Sequence, residues 1–330
     1  MSWIVPVKDQ YKLQIEMSNY CNAACPECAR SKIKPNDTDE YSFSLNDTYI
    51  SLEKFQSWVN KDQWSNLQQI HMCGNYDEAT TNPDLVKIVE WILDNDTLFP
   101  KRPTISIATN GGTRSIEFWT KLGEISKQTD RLRITWGIDG FEDTNHLYRI
   151  NVKWDILQRN YKAYISAGGT AIWQFIYFAH NEHQADDVMS FAKQEGFSDV
   201  KFIGSPRPNV KAKHKPDPKS QPQETYKQIV PKCHGRDNSS QGLYITHHGY
   251  IVPCCWWGTK NGFTSLWQNY SVDAGTNHKL TGHNSIQDVF NNSWYSNLYA
   301  KIKDGSFPKC IDNCMQNKIA THRFEKINDR

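Results

Sequence analysis

A chain of 330 residues has room for one large domain or two, with ample apolar core. Its 38 basic and 36 acidic residues leave a formal charge of +2, which excludes any global electrostatic case for nucleic-acid or membrane binding. No run approaches the roughly 18 uninterrupted apolar residues that span a bilayer, and Met1 to Val7 show no basic region leading into an apolar one. The expectation is a cytoplasmic chain with no export signal. In such a setting nine cysteines argue for metal or redox chemistry rather than a disulfide framework. The twelve tryptophans are expected in the core or lining a cleft.

Taken in order, β-type runs alternate with helical patterns from residue 11 to about 204. Tyr11 to Met17 reads as a strand. Ser51 opens a helix through Leu52, Phe55 and Val59. Leu67 to Cys73 is a second strand, followed by the loop Gly74-Asn75-Tyr76-Asp77-Glu78. Asn82-Pro83-Asp84 starts a helix carrying Leu85, Ile88, Val89 and Ile92. Thr104 to Ala108 is a strand ending in Thr109-Asn110-Gly111-Gly112, and Ile116 to Ile125 is helical. Leu132 to Ile138 is a strand running into Asp139-Gly140. Trp154 to Ile165 is a helix stopped by Gly168-Gly169. Ile172 to Phe178 is a strand, Gln184 to Glu195 a helix ended by Gly196, and Val200 to Ile203 a sixth strand. Six strands alternating with helices imply parallel pairing through right-handed crossovers, as a β/α barrel or a doubly wound sheet. In both, sites gather at the carboxyl ends of the strands, where the glycine-rich and polar loops fall here. Residues 206–230 change character: Pro206 to Pro222 interleaves prolines with Arg207, Lys211, Lys213, Lys215 and Lys219 and reads as a linker.

The first strand ends in Cys21-Asn22-Ala23-Ala24-Cys25-Pro26-Glu27-Cys28. Three thiols this close can converge on one centre only if the chain loops around it. A structural zinc site takes four protein ligands, so a zinc knuckle needs a fourth ligand from elsewhere. A cubane held by three thiolates keeps one iron open. Cys73, just before the second loop, reads as a small buried strand residue.

Cys21-x3-Cys25-x2-Cys28 at the end of a first strand resembles the motif of the radical S-adenosylmethionine (SAM) enzymes. The resemblance implies a partial (β/α)6 barrel and a [4Fe–4S] cluster on Cys21, Cys25 and Cys28. SAM chelates the fourth iron, and one electron cleaves it to a 5′-deoxyadenosyl radical that abstracts hydrogen. Glu27 departs from the pattern, since the family commonly has an aromatic or large apolar residue there. The loop Gly74, Asn75, Tyr76, Asp77 stands in the place of the family's Gly-Gly-Glu-Pro element, which receives the SAM amino group. Thr109-Asn110-Gly111 resembles the Thr-Asn-Gly turn. Gly137-Ile138-Asp139-Gly140 resembles Ser-x-Asp-Gly, with Gly137 replacing the serine. Arg149 falls where the family has an arginine near the SAM carboxylate, a contact that suits a planar guanidinium fork. Gln174 on the fifth strand is a candidate for the ribose.

A second cysteine set lies beyond the linker. Leu243 to Thr246 and Tyr250 to Val252 read as a hairpin turning at His247-His248-Gly249, and a helical stretch starts at Ser285. Cys233, Cys254, Cys310 and Cys314 offer four thiolates, enough for one cubane or one structural zinc. Cys-x15-Gly-x4-Cys with a distal Cys-x3-Cys resembles the SPASM and twitch extensions of radical SAM enzymes. That implies a second, auxiliary [4Fe–4S] cluster in residues 231–330 behind a barrel in residues 1–205, with Cys255 a neighbour of the chosen ligand Cys254. The resemblance further implies a reductant such as flavodoxin or ferredoxin, and a substrate that is a peptide or protein side chain. The alternatives are radical SAM chemistry on RNA or on a sugar or nucleotide, and a non-enzymatic zinc module.

Overall fold

The computed structural model describes residues 6–32, 49–204, 242–255, 257–258, 279–293, 295, 297–298 and 322–326. The expected linker, including its basic run, and Cys233, Cys310 and Cys314 lie outside these residues. The chain forms two compact units. One is drawn from Met1–Tyr20, Ile33–Ile105 and Thr225–Lys318, the other from Cys21–Lys32, Ser106–Glu224 and Ile319–Arg330. Among the described residues no helix is long and apolar enough to cross a membrane.

The first unit contains β1 (Lys12–Ile15), α1 (Leu52–Val59), β2 (Gln69–Met72), α2 (Leu85–Asp94), β7 (Gly242–Ile245) and β8 (Ile251–Val252), in the strand order β8-β7-β1-β2. β1 pairs parallel with β2 from Lys12↔Gln69 to Ile15↔Met72, and on its other side parallel with β7 from Lys12↔Gly242 to Ile15↔Ile245. The β7–β8 hairpin expected at His247-His248-Gly249 is present, antiparallel, with Gly249 at φ +88°. Its first strand is a full partner of β1, which the sequence pattern did not indicate. Ser51 caps α1 by accepting from the Lys54 amide at 3.2 Å. A further short helix, Ile286–Phe290, opens with a capping box between Ser285 and Asp288. Its first two amides donate to the Asp62 carboxylate at 2.8 and 3.0 Å.

The second unit contains α3 (Ile116–Gln128), β4 (Leu132–Gly137), the one-turn α4 (Asn145–Tyr148), α5 (Trp154–Ser166), β5 (Thr170–Tyr177), α6 (Ala185–Glu195), β6 (Asp199–Gly204) and β9 (His322–Lys326). The chain passes from the first unit to the second within β3 (Thr104–Thr109), and the order here is β3-β4-β5-β6-β9. β4, β5 and β6 are parallel; β9 adds antiparallel to β6, a strand the polar run His-Arg-Phe-Glu-Lys did not announce. Alternation along β5 is strict, with Ala171, Trp173, Phe175 and Tyr177 buried and Thr170, Ile172, Gln174 and Ile176 half-buried. The helices cover the tryptophan side. Trp136 on β4 meets Trp119 of α3 at 4.6 Å and Tyr161 and Tyr164 of α5 at 6.2 and 6.0 Å, and Trp173 meets Phe191 of α6 at 6.0 Å. Gln174 and Ile172 therefore face away from the helices. α3 and α5 approach closely because Gly123 has no side chain to collide with the Tyr164 carbonyl. Six tryptophans, Trp58, Trp64, Trp119, Trp136, Trp173 and Trp257, are fully buried, in line with the core role expected of them.

Asn82, fully buried in the first unit, donates to the Met17 and Ile50 carbonyls, both at 2.9 Å, and so holds the end of β1 beside the start of α2. Asn82→Ala leaves both carbonyls without a donor in the interior. It should cost about 2 to 4 kcal/mol, read as a fall in the urea midpoint.

Candidate functional site

In the first unit the loop after β2 is built around a buried carboxylate. Glu16, one residue beyond β1, is fully buried. It accepts hydrogen bonds from Tyr244 Oη at 2.6 Å and the Asn75 amide at 2.7 Å, and meets His247 Nδ1 at 3.2 Å. Any side chain on Gly74 would collide with Glu16, which accounts for the one glycine retained in this loop. Asp77 closes the turn, accepting from the Met17 amide at 2.7 Å and the Gly74 amide at 2.6 Å. Asn75 reaches on to the carbonyl of Cys255 at 2.7 Å, tying the loop to the bend after β8 that carries Cys254 and Cys255. Both cysteines are half-buried. Glu78 is buried too, accepting from Thr80 Oγ1 at 2.7 Å. Tyr76 is buried, and its amide also bonds Glu16.

Burial pushes the Glu16 carboxyl up to about 7, against the hydrogen bonds that favour its anion. Burial and then the neighbouring Glu16 push Asp77 up to about 8. The Cys73 thiol, one residue past β2 and half-buried rather than the buried strand residue expected, is likewise driven well above its ordinary value by desolvation.

In the second unit three loops meet. Asn110, at the end of β3, donates to Asn22 Oδ1 at 2.9 Å and to Cys21 Sγ at 3.6 Å, while its own oxygen accepts from the Gly112 amide at 2.8 Å. Thr109 Oγ1 accepts from the Gly111 amide at 2.9 Å, and Gly111 takes φ +70°. The Thr-Asn-Gly turn thus braces the cysteine loop. From the other side the Ala24 amide donates to the Ile150 carbonyl at 3.0 Å. Within the loop, the Cys28 amide donates to the Cys25 carbonyl at 3.0 Å, a tight turn that keeps the two cysteines together.

The same unit holds an ion pair with a fully buried carboxylate. Asp139 follows β4, is fully buried, and binds Arg149 Nε through Oδ2 at 2.7 Å. Its Oδ1 accepts from the Ile176 amide at 2.9 Å, its amide donates to Asn145, and its carbonyl accepts from Asn181. Gly137 makes room for the guanidinium, since a Cβ there would lie 2.7 Å from Arg149 Nη2. Burial raises the Cys25 thiol above its ordinary value, the Arg149 charge opposes that, and the nearby Cys28 and Asp139 add to it. Burial works against the Arg149 charge, but Asp139 and Cys25 outweigh it and hold the guanidinium protonated beyond its usual range.

The expected site residues therefore fall into two sets. Cys21, Cys25, Cys28, Thr109, Asn110, Gly137, Asp139 and Arg149 lie together in the second unit, and Gln174 pairs with Gly137 across β4 and β5 on the face turned from the helices. Gly74, Asn75, Tyr76, Asp77 and Cys254 lie in the first unit. Arg149, expected at a SAM carboxylate, is engaged at Nε by Asp139. Glu16, Tyr244, Asn22 and Asn181 were missed; only the carboxylate at the end of the apolar run Leu13-Gln14-Ile15-Glu16-Met17 gave a signal.

Among the described residues no three histidine, cysteine, aspartate or glutamate side chains stand where they jointly hold a metal ion. The fit to an iron–sulfur cluster is one of donor type: three thiols in one loop, none in a disulfide, with a guanidinium against Cys25 that suits a thiolate.

No protein-family model matches the chain, and no curated protein matches it. Solved structures do. SuiB of Streptococcus suis bound to S-adenosylmethionine aligns over 88% of this chain and 68% of its own, at 11% identity and a TM-score of 0.57. SuiB bound to the precursor peptide SuiA aligns over 89% and 67%, at 11% identity and 0.57. anSMEcpe with bound AdoMet and the Cp18Cys peptide aligns over 87% and 81%, at 12% identity and 0.50. The likeness is one of fold: the chain has the mixed α/β, mostly parallel architecture of the partial-barrel class that its cysteine loop led one to expect.

With folded-state values near 7 and 8, Glu16 and Asp77 bind protons in the native chain that the unfolded chain releases near 4.5 and 3.8. The stability they contribute is complete below those ordinary values and is lost as pH rises through 7 to 8. The thermal midpoint should fall between about pH 4 and pH 8 and level off above that, and Glu16→Gln should flatten the fall, as followed by circular dichroism.

Proposed function

We propose that this chain is a radical SAM enzyme that modifies a peptide or protein side chain. The observation that carries the reading is the loop of Cys21, Cys25 and Cys28, braced by Asn110 and backed by the Asp139–Arg149 pair, on a fold shared with SAM-bound structures. Cys21, Cys25 and Cys28 would hold a [4Fe–4S] cluster, which supplies the electron that cleaves SAM to a 5′-deoxyadenosyl radical. The chain's own residues do the positioning. The backbone carbonyls of the Gly74–Asp77 turn, whose amides are held by Glu16 and Asp77, would receive the amino group of SAM. Asn110, Asp139 and Gln174 would orient the rest. Arg149, held protonated by Asp139, would supply positive charge near the cysteine loop.

The peptide substrate is favoured because two of the matching structures carry peptides, SuiA on SuiB and Cp18Cys on anSMEcpe. Cys254, presented by the β7–β8 hairpin, would join Cys233, Cys310 and Cys314 on an auxiliary [4Fe–4S] cluster that takes an electron from the substrate or positions it. The external electron donor would be a flavodoxin or ferredoxin.

Anaerobic reconstitution should load about eight irons, the sum of two cubanes. Dithionite and SAM should then yield 5′-deoxyadenosine. Replacing Cys21, Cys25 and Cys28 together with alanine should remove about four of the irons and all of the 5′-deoxyadenosine. A protein that takes up zinc alone and never turns over SAM refutes the reading. For the substrate class, a small peptide encoded beside this chain should change mass on incubation with the loaded enzyme and SAM. An unaltered peptide, with SAM still cleaved, points instead to a small molecule or RNA.

Gly74→Ala pushes a methyl group into Glu16 and displaces the turn. It should weaken SAM binding about tenfold or more while leaving the iron content at the wild-type level, measured by equilibrium dialysis with labelled SAM.

A further inference from the structure

We propose that Asn110 is a positioning residue for electron uptake: its amide N–H, donated to the Cys21 sulfur, raises the reduction potential of the cluster this loop would carry. The inference rests on the radical SAM reading and adds to it a role for Asn110 at the cluster itself.

Contacts at both ends fix this side chain, all of them within the second unit. Its oxygen accepts from the Gly112 amide at 2.8 Å, so the side chain closes a turn on its own backbone. The opposite end is therefore the nitrogen, because a flipped amide would set two donors against each other at Gly112. The two hydrogens on that nitrogen are directed at Asn22 Oδ1, 2.9 Å away, and at Cys21 Sγ, 3.6 Å away. The longer distance reflects the larger radius of sulfur. The turn that carries Asn110 is itself pinned. Asn160, fully buried on α5, donates to the Gly111 and Thr113 carbonyls, both at 2.8 Å. Gly111 sits at φ +70° with its amide on Thr109 Oγ1. Asn110 is buried as well, so its donor is held where water does not replace it.

Reducing a [4Fe–4S] cluster by one electron adds one negative charge to it, and no atom is transferred. Part of that charge falls on the ligating sulfurs, and hydrogen bonds to them are a lever a protein has on the equilibrium. An N–H donated to Cys21 Sγ stabilises the reduced form more than the oxidised one. In a buried site the interaction is stronger than it is in water. Asn22 separates this effect from simple bracing. Its oxygen shares the Asn110 nitrogen, so removing it loosens the same contact between loop and turn. The N–H on the Cys21 sulfur stays.

The test is a dithionite titration of reconstituted protein, followed by electron paramagnetic resonance of the reduced cluster, with iron content measured on the same sample. Asn110→Ser keeps an oxygen for the Gly112 amide but has no N–H to reach the sulfur. Its ratio of reduced to oxidised cluster at a fixed potential should fall about fivefold, which for one electron is about 40 mV. Asn110→Asp keeps the turn acceptor and sets a carboxylate beside the sulfur, so the ratio should fall further. Asn22→Ala should titrate close to the wild type. A shift in Asn22→Ala as large as that in Asn110→Ser reports a loosened loop and would overturn the proposal. So would wild-type titration of Asn110→Ser at full iron content. If Asn110→Ser does not load iron, Asn110→Asp decides by the same measure. A wild-type protein with no reducible cubane sinks the radical SAM reading and this inference with it, whereas a normal wild type with unshifted Asn110 variants sinks only the inference.

Discussion

The pair of fully buried Asp139 and half-buried Arg149 is the constraint that fixes the turn after β4, whose Ile150 carbonyl in turn holds the cysteine loop at Ala24. An ion pair with its carboxylate fully buried and its guanidinium half-buried gains little net stability, because desolvation offsets much of the attraction. Its cost is met by full hydrogen bonding: every polar group of Asp139 that faces the interior is engaged, by Ile176, Asn145, Asn181 and Arg149. What the pair provides is a fixed direction. The guanidinium cannot swing away from Asp139 without leaving one carboxylate oxygen in the core without its cation, so it stays paired. Gly137 belongs to the same device. Where the resemblance puts a serine, a glycine gives the arginine its space.

The first unit solves a related problem with a different group. Glu16 sits at the end of a strand whose neighbours on both sides are parallel, and it gathers donors from Asn75, Tyr244 and His247. One carboxyl thereby fixes the turn after β2 and the base of the β7–β8 hairpin at once. The hydrogen bonds are strong enough to hold the geometry, but burial still dominates the protonation state.

Much of this was legible in the sequence. The three-cysteine spacing, the alternation of strands and helices, and the glycine-bearing turns at the strand ends are local signals, and local signals survive in one dimension. Gly111 and Gly249 do take positive φ, and Ser51 does cap α1. What was not legible depends on distant partners. Glu16 and Tyr244 are 228 positions apart, and a lone carboxylate at the end of an apolar run gives no hint of its hydroxyl donor. β9 is polar in sequence and becomes a strand only because the edge of β6 offers it a ladder. The pairing of Arg149 with Asp139 at 2.7 Å was not foreseen either.

The position of β7 bears on how the polypeptide is made. β1 is flanked by strands drawn from opposite ends of the sequence: β2 is complete by Met72, but β7 begins only at Gly242. During synthesis one edge of β1 therefore stays open until more than half of the molecule has emerged. The peptide groups of Lys12 to Ile15 on that edge must find water or a chaperone in the interval. Assembly of the first unit is in this sense a late event, closed by a strand that arrives after the whole of β3 to β6 has been translated.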